Sequence, residues 1–353
     1  MNFLSEIFKR RGLIVGPLLV AAMAVLPLID FELPGIFPGP SSNPGTLQIL
    51  ALALLIGSLA LSYHLLLGVA GLLSFGHALY FAIGTYGLAI LLRQTDIALL
   101  PAMLIVGLVG LVVAAVLGRI SLQVSGIAFA MVTLAFAQAG SVLIRRNSEI
   151  TNGEEGLPIN TANVPDYLVG VVNTKNLFWL ALVIAVIAFL LVTWFEKSRA
   201  GHVVAATREN ELRVRVLGIR PTRVKILAVV SAGVIATVAG MVYFVLQSTA
   251  SPANISADLT LTLLVIVVLG GVGSRWGALI GGVIYMILDQ RLTSLARAPE
   301  LKELPEFLYI PLSEPLFLLG SIFILVVLFL PGGFAGLAKR FRTGKRAKLK
   351  ELA

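Results

Sequence analysis

"LVIAVIAFLLVTWF", residues 182–195, is a run of fourteen residues without a charged side chain. Wound as an α-helix it is apolar on every face, which is typical of a helix inside a membrane or deep in a large core. The runs "LLVAAMAVLPLI" at 18–29 and "GSIFILVVLFL" at 320–330 have the same character. A membrane β-barrel would instead alternate apolar and polar positions over segments of about ten residues. The sequence therefore predicts membrane-spanning helices.

The composition supports this prediction. Hydrophobic residues make up 58% of the 353 residues, and the mean hydropathy is +0.96. Soluble domains contain only about 45–50% apolar residues. We therefore expect an all-α integral membrane protein that forms a single transmembrane domain over residues 1–353. The chain has no cysteine, which excludes disulfide bonds and thiol chemistry.

Ten segments are long and apolar enough to cross a bilayer as helices. The first resembles a signal peptide, but no small-residue cleavage site follows it, so we expect a retained helix. The predicted spans are 13–30, 46–68, 71–92, 97–118, 121–144, 177–195, 226–249, 258–273, 277–296 and 314–331.

The distribution of lysine and arginine predicts the orientation. With the N-terminus inside, the cytoplasmic segments hold 20 of the 27 basic residues, as the positive-inside rule requires. The N-terminus, the loop 196–225 and the basic tail 339–353 are then all cytoplasmic. Because orientation accounts for the net charge of +9, nucleic-acid binding need not be invoked.

The loop 196–225 is the largest interior cytoplasmic loop. Its stretch "ATRENELRVRVLGIRPTRVK", residues 206–225, concentrates charge in a protein with only 13% charged residues. Leu212, Val216 and Ile219 recur at helical spacing, which predicts a short amphipathic helix ending near Gly218. Two alternatives remain open: the loop is only a positive-inside anchor, or the alternating "LRVRV" forms a strand.

Several motifs together resemble one protein family. "REN-E…LGI" after "SRAGH" resembles the cytoplasmic coupling loop of permease subunits from bacterial ABC importers of the branched-chain amino-acid, or LIV, type. Asn152 departs from the family, which usually has glycine there, and Val214 stands where alanine is common. The other matching motifs are "GLLSFGHALYFAIGTY" at 71–86, "SGIAFAMVTLAFAQ" at 125–138, "TNGEEGL" at 151–157 and "SPANISADLTLTLLVIVVLGGVGSRWGALIGG" at 251–282.

The resemblance implies a set of partners. Such permeases pair with a homologous second permease, bind two ATPase subunits inside and receive substrate from an extracytoplasmic binding protein, in the bacterial cytoplasmic (inner) membrane. The chain lacks the G-x-x-x-x-G-K-[ST] phosphate loop, so we expect no enzyme activity and no cofactor in this chain, with ATP and Mg in the partner ATPases. The candidate ATPase-coupling residues are Arg208, Glu209, Asn210, Glu211, Leu212, Val216 and Gly218.

Polar side chains within the apolar spans are candidates for the substrate pathway, because an unpaired hydroxyl or amide is costly there. Interhelical hydrogen bonding is an equally good explanation. The candidates are Ser74, His77, Ser125, Thr133 and Gln138.

Scattered hydroxyls and amides suit a small neutral or zwitterionic solute, and the resemblance favours branched-chain amino acids. A permease for urea or short amides remains an alternative. An ion-coupled secondary transporter is a third, disfavoured because mid-span ionisable residues are almost absent.

Other kinds of site are weakly indicated. Ser74 and His77 share a helical face, but no neighbouring acid completes a hydrolase triad. The three histidines fall in different segments, so we expect no metal site.

The glycines at 270–282 resemble a dinucleotide loop but fit close helix packing better. "GLLSFGHAL" at 71–79 and "GVGSRWGAL" at 271–279 share four residues; an internal repeat and a chance match of small residues are the two explanations.

Overall fold

The computed structural model describes residues 16–32, 37–296, 309, 312–330 and 332–336. Within them the chain is almost entirely helical, with one two-stranded pairing of β1 (Leu157–Pro158) and β2 (Thr249–Ala250). The predicted all-α membrane fold is confirmed. The helices are α1 Gly16–Leu28, α2 Pro44–His64, α3 His77–Gln94, α4 Leu99–Ser121, α5 Ile127–Arg146, α6 Ser148–Thr151, α7 Thr174–Lys197, α8 Arg199–Glu209, α9 Glu211–Val216, α10 Pro221–Gln247, α11 Ala257–Gly270, α12 Arg275–Ala296 and α13 Pro315–Phe329.

The predicted count of ten spans is not confirmed. In the described part of the chain, six helices are long and apolar enough to cross a membrane, or seven if α11 and α12 form one span. These two helices meet at an angle of 119° across a short break. The described part of α1 has thirteen residues, and α3 ends in the polar pair Arg93 and Gln94. The two termini lie outside the described residues, so their sidedness stays a prediction.

Two predicted span boundaries are wrong by six residues. The segment 71–76 is not helical, and α3 begins only at His77. The segment 121–126 contains the end of α4 and a loop, and α5 begins at Ile127 after Gly126. Neither segment contains a charged residue, so hydropathy includes both in spans. The break at 71–76 is stabilised by contacts with distant residues, such as the hydrogen bond from Phe75 N to Thr133 Oγ1, that a hydropathy profile cannot detect.

Local sequence explains where the main helices begin. Asn43 caps α2 by accepting a hydrogen bond from Gly45 N at 3.0 Å, and Pro44 occupies the first helical position. Pro221 plays the same role at the start of α10. Ser256 caps α11 by accepting from Leu259 N. These caps satisfy amide groups that have no partner within their own helix.

Helices α2 and α10 form the centre of the bundle. Helix α2 is buried almost all round and packs against α7, α10, α11 and α12. Helix α10 packs against α3 and α4. Helices α4, α5 and α13, by contrast, expose much of their apolar surface. Since no hydrophobic force drives helices together in lipid, close packing of the central pair stabilises the bundle.

Glycines permit this packing, as the sequence predicted for 270–282. A side chain at Gly282 would meet the backbone of Gly57 at 2.6 Å, so α2 and α12 cross almost backbone to backbone. Gly270 and Gly277 allow the same approach between α11 and α12.

Asn152 has a positive φ of 60°, a conformation that glycine adopts freely and asparagine tolerates. The departure from the family's usual glycine is therefore conservative.

The loops gather at two opposite ends of the bundle. One end, called the inner end, contains 70–72, 122–126, 198–220 and the turn 271–274. The outer end contains the long connection 147–173, whose strand β1 pairs with β2. The basic loop lies at the inner end, and its cytoplasmic placement stays a prediction from charge.

We expect cysteine labelling in intact cells to separate these ends. Cysteine at exposed Ala206 should resist an impermeant thiol reagent, whereas cysteine at Val172, which is 92% exposed at the outer end, should react. The absence of native cysteine removes background labelling. Reaction at position 206 from outside, with 172 protected, would reverse the orientation.

Candidate functional site

The inner end contains an open cavity of about 330 Å³. Such a volume lies within the range of small-molecule sites, but its charged lining and its position also suit a protein contact. Three cations and one carboxylate surround it. The lining residues are Ala70, Gly71, Leu72, Leu122, Gln123, Val124, Ser125, Gly126, Thr207, Arg208, Glu211, Arg215, Thr222 and Lys225.

The short helix predicted in the charged loop is present as two helices, α8 and α9. Ser198 caps α8 by accepting from Gly201 N at 3.1 Å, and Asn210 caps α9 by accepting from Arg213 N at 3.0 Å. The strand alternative for "LRVRV" is wrong, because these residues lie in α9. Asn210, a candidate coupling residue, is thus a helix cap.

Helix α9 ends in the glycine turn that the sequence predicted. Gly218 has φ of 79°, its amide donates to Arg215 O at 2.9 Å, and the amide of Ile219 donates to Val214 O at 3.3 Å. These bonds close the end of the helix. The chain then turns into α10 at Pro221.

Apolar side chains of this segment point away from the protein. Leu212, Val216 and Leu217 are 71%, 81% and 75% exposed, whereas Val214 is buried. Three large apolar side chains on one short, charged segment form an exposed patch that is typical of a protein contact. We call Leu212, Val216 and Leu217 the inner apolar patch.

Glu211 is held within the chain. Its carboxylate accepts hydrogen bonds from Lys225 Nζ at 2.6 Å and from Arg215 Nη2 at 2.5 Å. The bond from Lys225, followed by that from Arg215, holds the pKa of Glu211 below its usual range although partial burial opposes this. The carboxylate therefore ties α9 to the N-terminal part of α10.

Arg208 also points inward. Its Nη1 donates a hydrogen bond to the carbonyl oxygen of Gly68, and its aliphatic stem lies where a side chain at Gly71 would be. Among the candidate coupling residues, Arg208, Asn210 and Glu211 thus have contacts inside the chain. Glu209 and the apolar side chains remain directed outward.

A second, much smaller cavity lies deeper in the bundle. Its volume is about 10 Å³, room for at most a single water molecule. Two of the five pathway candidates, Ser74 and Thr133, line it. The lining residues are Ser74, Gly76, Leu79, Tyr80, Leu117, Ser121, Thr133 and Phe136.

The hydroxyls in this deeper cavity already have partners. Thr133 Oγ1 donates to Ala130 O at 2.8 Å and accepts from Phe75 N at 3.1 Å. Ser74 Oγ accepts from Gly76 N at 3.3 Å. These groups stabilise the break before α3, and the structure has no room for a solute beside them.

The other three pathway candidates lie apart. His77 is fully buried and its Nε2 is 2.7 Å from Ser62 Oγ. Ser125 is exposed at the inner cavity, and Gln138 is exposed on the outer surface of α5. The structure therefore does not bring the five together. In the described part of the chain, no group of three or more His, Asp or Glu side chains could hold a metal ion.

Sequence reasoning missed two residue groups at the inner end. Lys225 pairs with Glu211 across fourteen residues and a glycine turn, a separation that helical spacing cannot connect. Glu196 joins His64 and Arg275, which come from the second and the twelfth helix. A lone histidine in a buried helix was the available signal for this second group.

Comparison with known proteins identifies the family. Residues 45–338 match the family described as "Branched-chain amino acid transport system / permease component". The chain belongs to this family. With its apolar helices, the permease is a multi-pass membrane protein.

Curated relatives agree with this assignment. The permease is 26% identical over 269 residues to the high-affinity branched-chain amino acid transport system permease protein LivM of Escherichia coli, aligning with 69% of this chain and 62% of the relative. The alignment with LivH of the same organism is 25% identical over 296 residues, 79% of this chain and 90% of LivH. A probable LivM of Methanocaldococcus jannaschii is 28% identical, with 67% and 70% covered.

One solved structure overlaps the permease broadly. It is titled "PsaBC from Streptococcus pneumoniae in complex with Fab" and covers 80% of this chain and 90% of its own, with 15% identity and a TM-score of 0.42. Agreement at that level adds nothing to the family assignment, which depends on the sequence match.

Gly218→Val should destabilise the end of α9 by about 1–2 kcal/mol, because a residue with a Cβ is strained at positive φ. Hydrogen exchange of the amides from 213 to 219 should become faster. Ala206→Val adds a β-branched side chain at an exposed, ordinary helical position of α8 and serves as the control. Equal exchange in both variants would contradict the strained turn.

Proposed function

We propose that this chain is one of two permease subunits of an ABC importer that moves branched-chain amino acids into the cytoplasm across the bacterial inner membrane. The observation that carries the proposal is the inner apolar patch, displayed on a charged segment at the basic end of a permease of this family. The chain itself has no phosphate loop, so hydrolysis of ATP belongs to two partner ATPase subunits.

The ATPase contact lies on the α8–α9 segment. Leu212, Val216 and Leu217 supply exposed apolar area, and Glu209 supplies a charge for a basic group on the partner. Core apolar contacts with a charged rim are the usual anatomy of a protein interface. The bonds of Glu211 and Arg208 hold this segment to α10 and to the end of α2, so force applied at the patch reaches the membrane helices.

The second permease packs against the exposed side of α5. Ala128, Met131, Ala135, Gln138 and Val142 form one exposed row at helical spacing. An amide in contact with lipid is costly, so Gln138 favours a protein or water-filled surface over a lipid-facing one. The pathway then runs between the two permeases, with Gln138 and Ser125 beside it.

The outer connection 147–173 receives the extracytoplasmic binding protein. It exposes Tyr167, Val171 and Val172 around the short helical turns that precede α7. Large exposed apolar and aromatic side chains of this kind are enriched at protein interfaces. Selection among solutes depends on that binding protein as well as on the pathway.

Uptake into proteoliposomes that contain the complete complex tests the function. We expect leucine, isoleucine and valine to accumulate only with hydrolysable ATP and binding protein, and ionophores that collapse ion gradients to have no effect. Uptake driven by an ion gradient without ATP would establish a secondary transporter instead. ATP-driven uptake of urea or short amides but not leucine would keep the mechanism and change the substrate.

The coupling contact predicts a second result. The Leu212→Ser and Glu209→Lys variants should reach the membrane at normal abundance but retain at least about tenfold less ATPase, because the first removes an exposed apolar contact and the second reverses the charge offered to the partner. Leu295→Ser, at an exposed leucine of α12, is the matched control. If both loop variants co-purify normal amounts of ATPase and transport normally, the loop is only a charged anchor.

A further inference from the structure

The last turn of α7 carries a partly buried ion network. Glu196 Oε1 accepts a hydrogen bond from His64 Nε2 at 2.9 Å, and Glu196 Oε2 accepts one from Arg275 Nη1 at 2.6 Å. The His64 side chain is fully buried, and those of Glu196 and Arg275 are 21% and 30% exposed. Each carboxylate oxygen therefore holds a different helix, α2 through His64 and α12 through Arg275.

Aromatic contacts reinforce the junction between α7 and α12. The guanidinium carbon of Arg275 lies 5.8 Å from the ring centroid of Phe189, and the ring of Trp276 lies 4.4 Å from that same ring. Arg275 and Trp276 are the first two residues of α12, directly after the break that separates it from α11. The start of α12 is thus fixed to α7 by a charge and by ring packing.

The same network is connected to the α8–α9 segment. His64 is followed by a π-helical turn, Leu65–Ala70, in which Gly68 leaves room for the His64 ring. The carbonyl of Gly68 accepts the hydrogen bond from Arg208 at the end of α8. Two residues after Glu196, Ser198 caps the start of α8. Glu196, His64, Gly68 and Arg208 therefore close a ring of contacts between α7, α2 and α8.

We propose that Glu196 is a positioning residue for transport: it holds α2 and α12 to the base of α8, so that movement of the α8–α9 segment carries α12 and the break at 271–274 with it. The inference rests on the proposed ATP-driven function. A π-turn and a broken helix pair are places where a bundle can change shape, and both are anchored at this one carboxylate.

A role limited to folding makes a different prediction. Removing one member of a buried, hydrogen-bonded ion pair leaves the other uncompensated, which lowers stability whatever the pair does in transport. A folding role predicts less protein, with normal uptake per ATP hydrolysed by the remainder. A positioning role predicts normal assembly and ATP hydrolysis with less uptake per ATP.

The test uses Glu196→Gln and Arg275→Gln in the reconstituted complex, with uptake and ATP hydrolysis measured in the same vesicles. Each variant should lower uptake per ATP at least fivefold, and the double variant should be no worse than either single variant. Lys197→Gln removes the neighbouring exposed charge and should leave the ratio unchanged. Glu196→Asp should restore part of it.

Unchanged uptake per ATP in Glu196→Gln would overturn the inference, and so would additive losses in the double variant. The proposed function fails separately, if the wild-type complex shows no ATP-dependent uptake.

A second measurement uses the permease alone and does not depend on transport. Spin labels on cysteines at exposed Ala206 and Val272 report the distance between α8 and the turn before α12. We expect a narrow distance distribution in the otherwise wild-type chain, a broad one with Glu196→Gln and a narrow one with Lys197→Gln. Equal distributions in all three would overturn the inference even if the Glu196 variant is produced poorly.

Discussion

Every polar backbone group inside a bilayer must find a partner within the protein, and this constraint decides how the chain can break before α3. The segment 71–76 is not helical, and it runs from the inner end into the bundle. His77, directly after it, contacts Ser62, which lies eight residues before Ala70, the end of the π-turn. At 1.5 Å per residue that is roughly 12 Å from the inner end. Its amides and carbonyls cannot rely on lipid.

Side chains from three other helices provide the partners. Thr133 of α5 accepts from Phe75 N at 3.1 Å, and Thr260 of α11 accepts from Ala78 N at 3.0 Å. Tyr63 of α2 donates its hydroxyl proton to the carbonyl oxygen of Ser74 at 3.0 Å. The break is therefore held in one shape by α2, α5 and α11 together.

The sequence predicted what depends on neighbours along the chain. Apolar runs gave the helical membrane fold, and Leu212, Val216 and Gly218 gave a short helix with a glycine turn, because spacing and backbone conformation are local properties. Hydropathy placed two span starts six residues too early because it counts apolar residues without detecting a break. The segment "GLLSFG" at 71–76 is mostly apolar, so hydropathy assigns it to a span although its backbone is not helical. Phe75 N is held by Thr133, 58 residues away, and Ala78 N, just after the segment, is held by Thr260, 182 residues away.

The candidate site was less predictable for the same reason. Ser74, His77 and Thr133 were selected as polar residues in apolar spans, and the structure places them as partners of other groups in the bundle. The link from Glu196 to His64 and Arg275 joins positions 132 and 79 residues apart. Periodicity predicts which face of a helix is polar, but it does not predict which helix lies opposite that face.

Hydrogen exchange at single-amide resolution tests most directly whether side chains hold the break before α3. In the wild-type permease, the amides of Phe75 and Ala78 should exchange slowly. Thr133→Val, which removes the hydroxyl at nearly constant volume, should accelerate exchange at Phe75 but not at Ala78, and Thr260→Val should do the reverse. Rapid exchange of both amides in the wild-type protein would show that the segment is solvated, and would contradict the account.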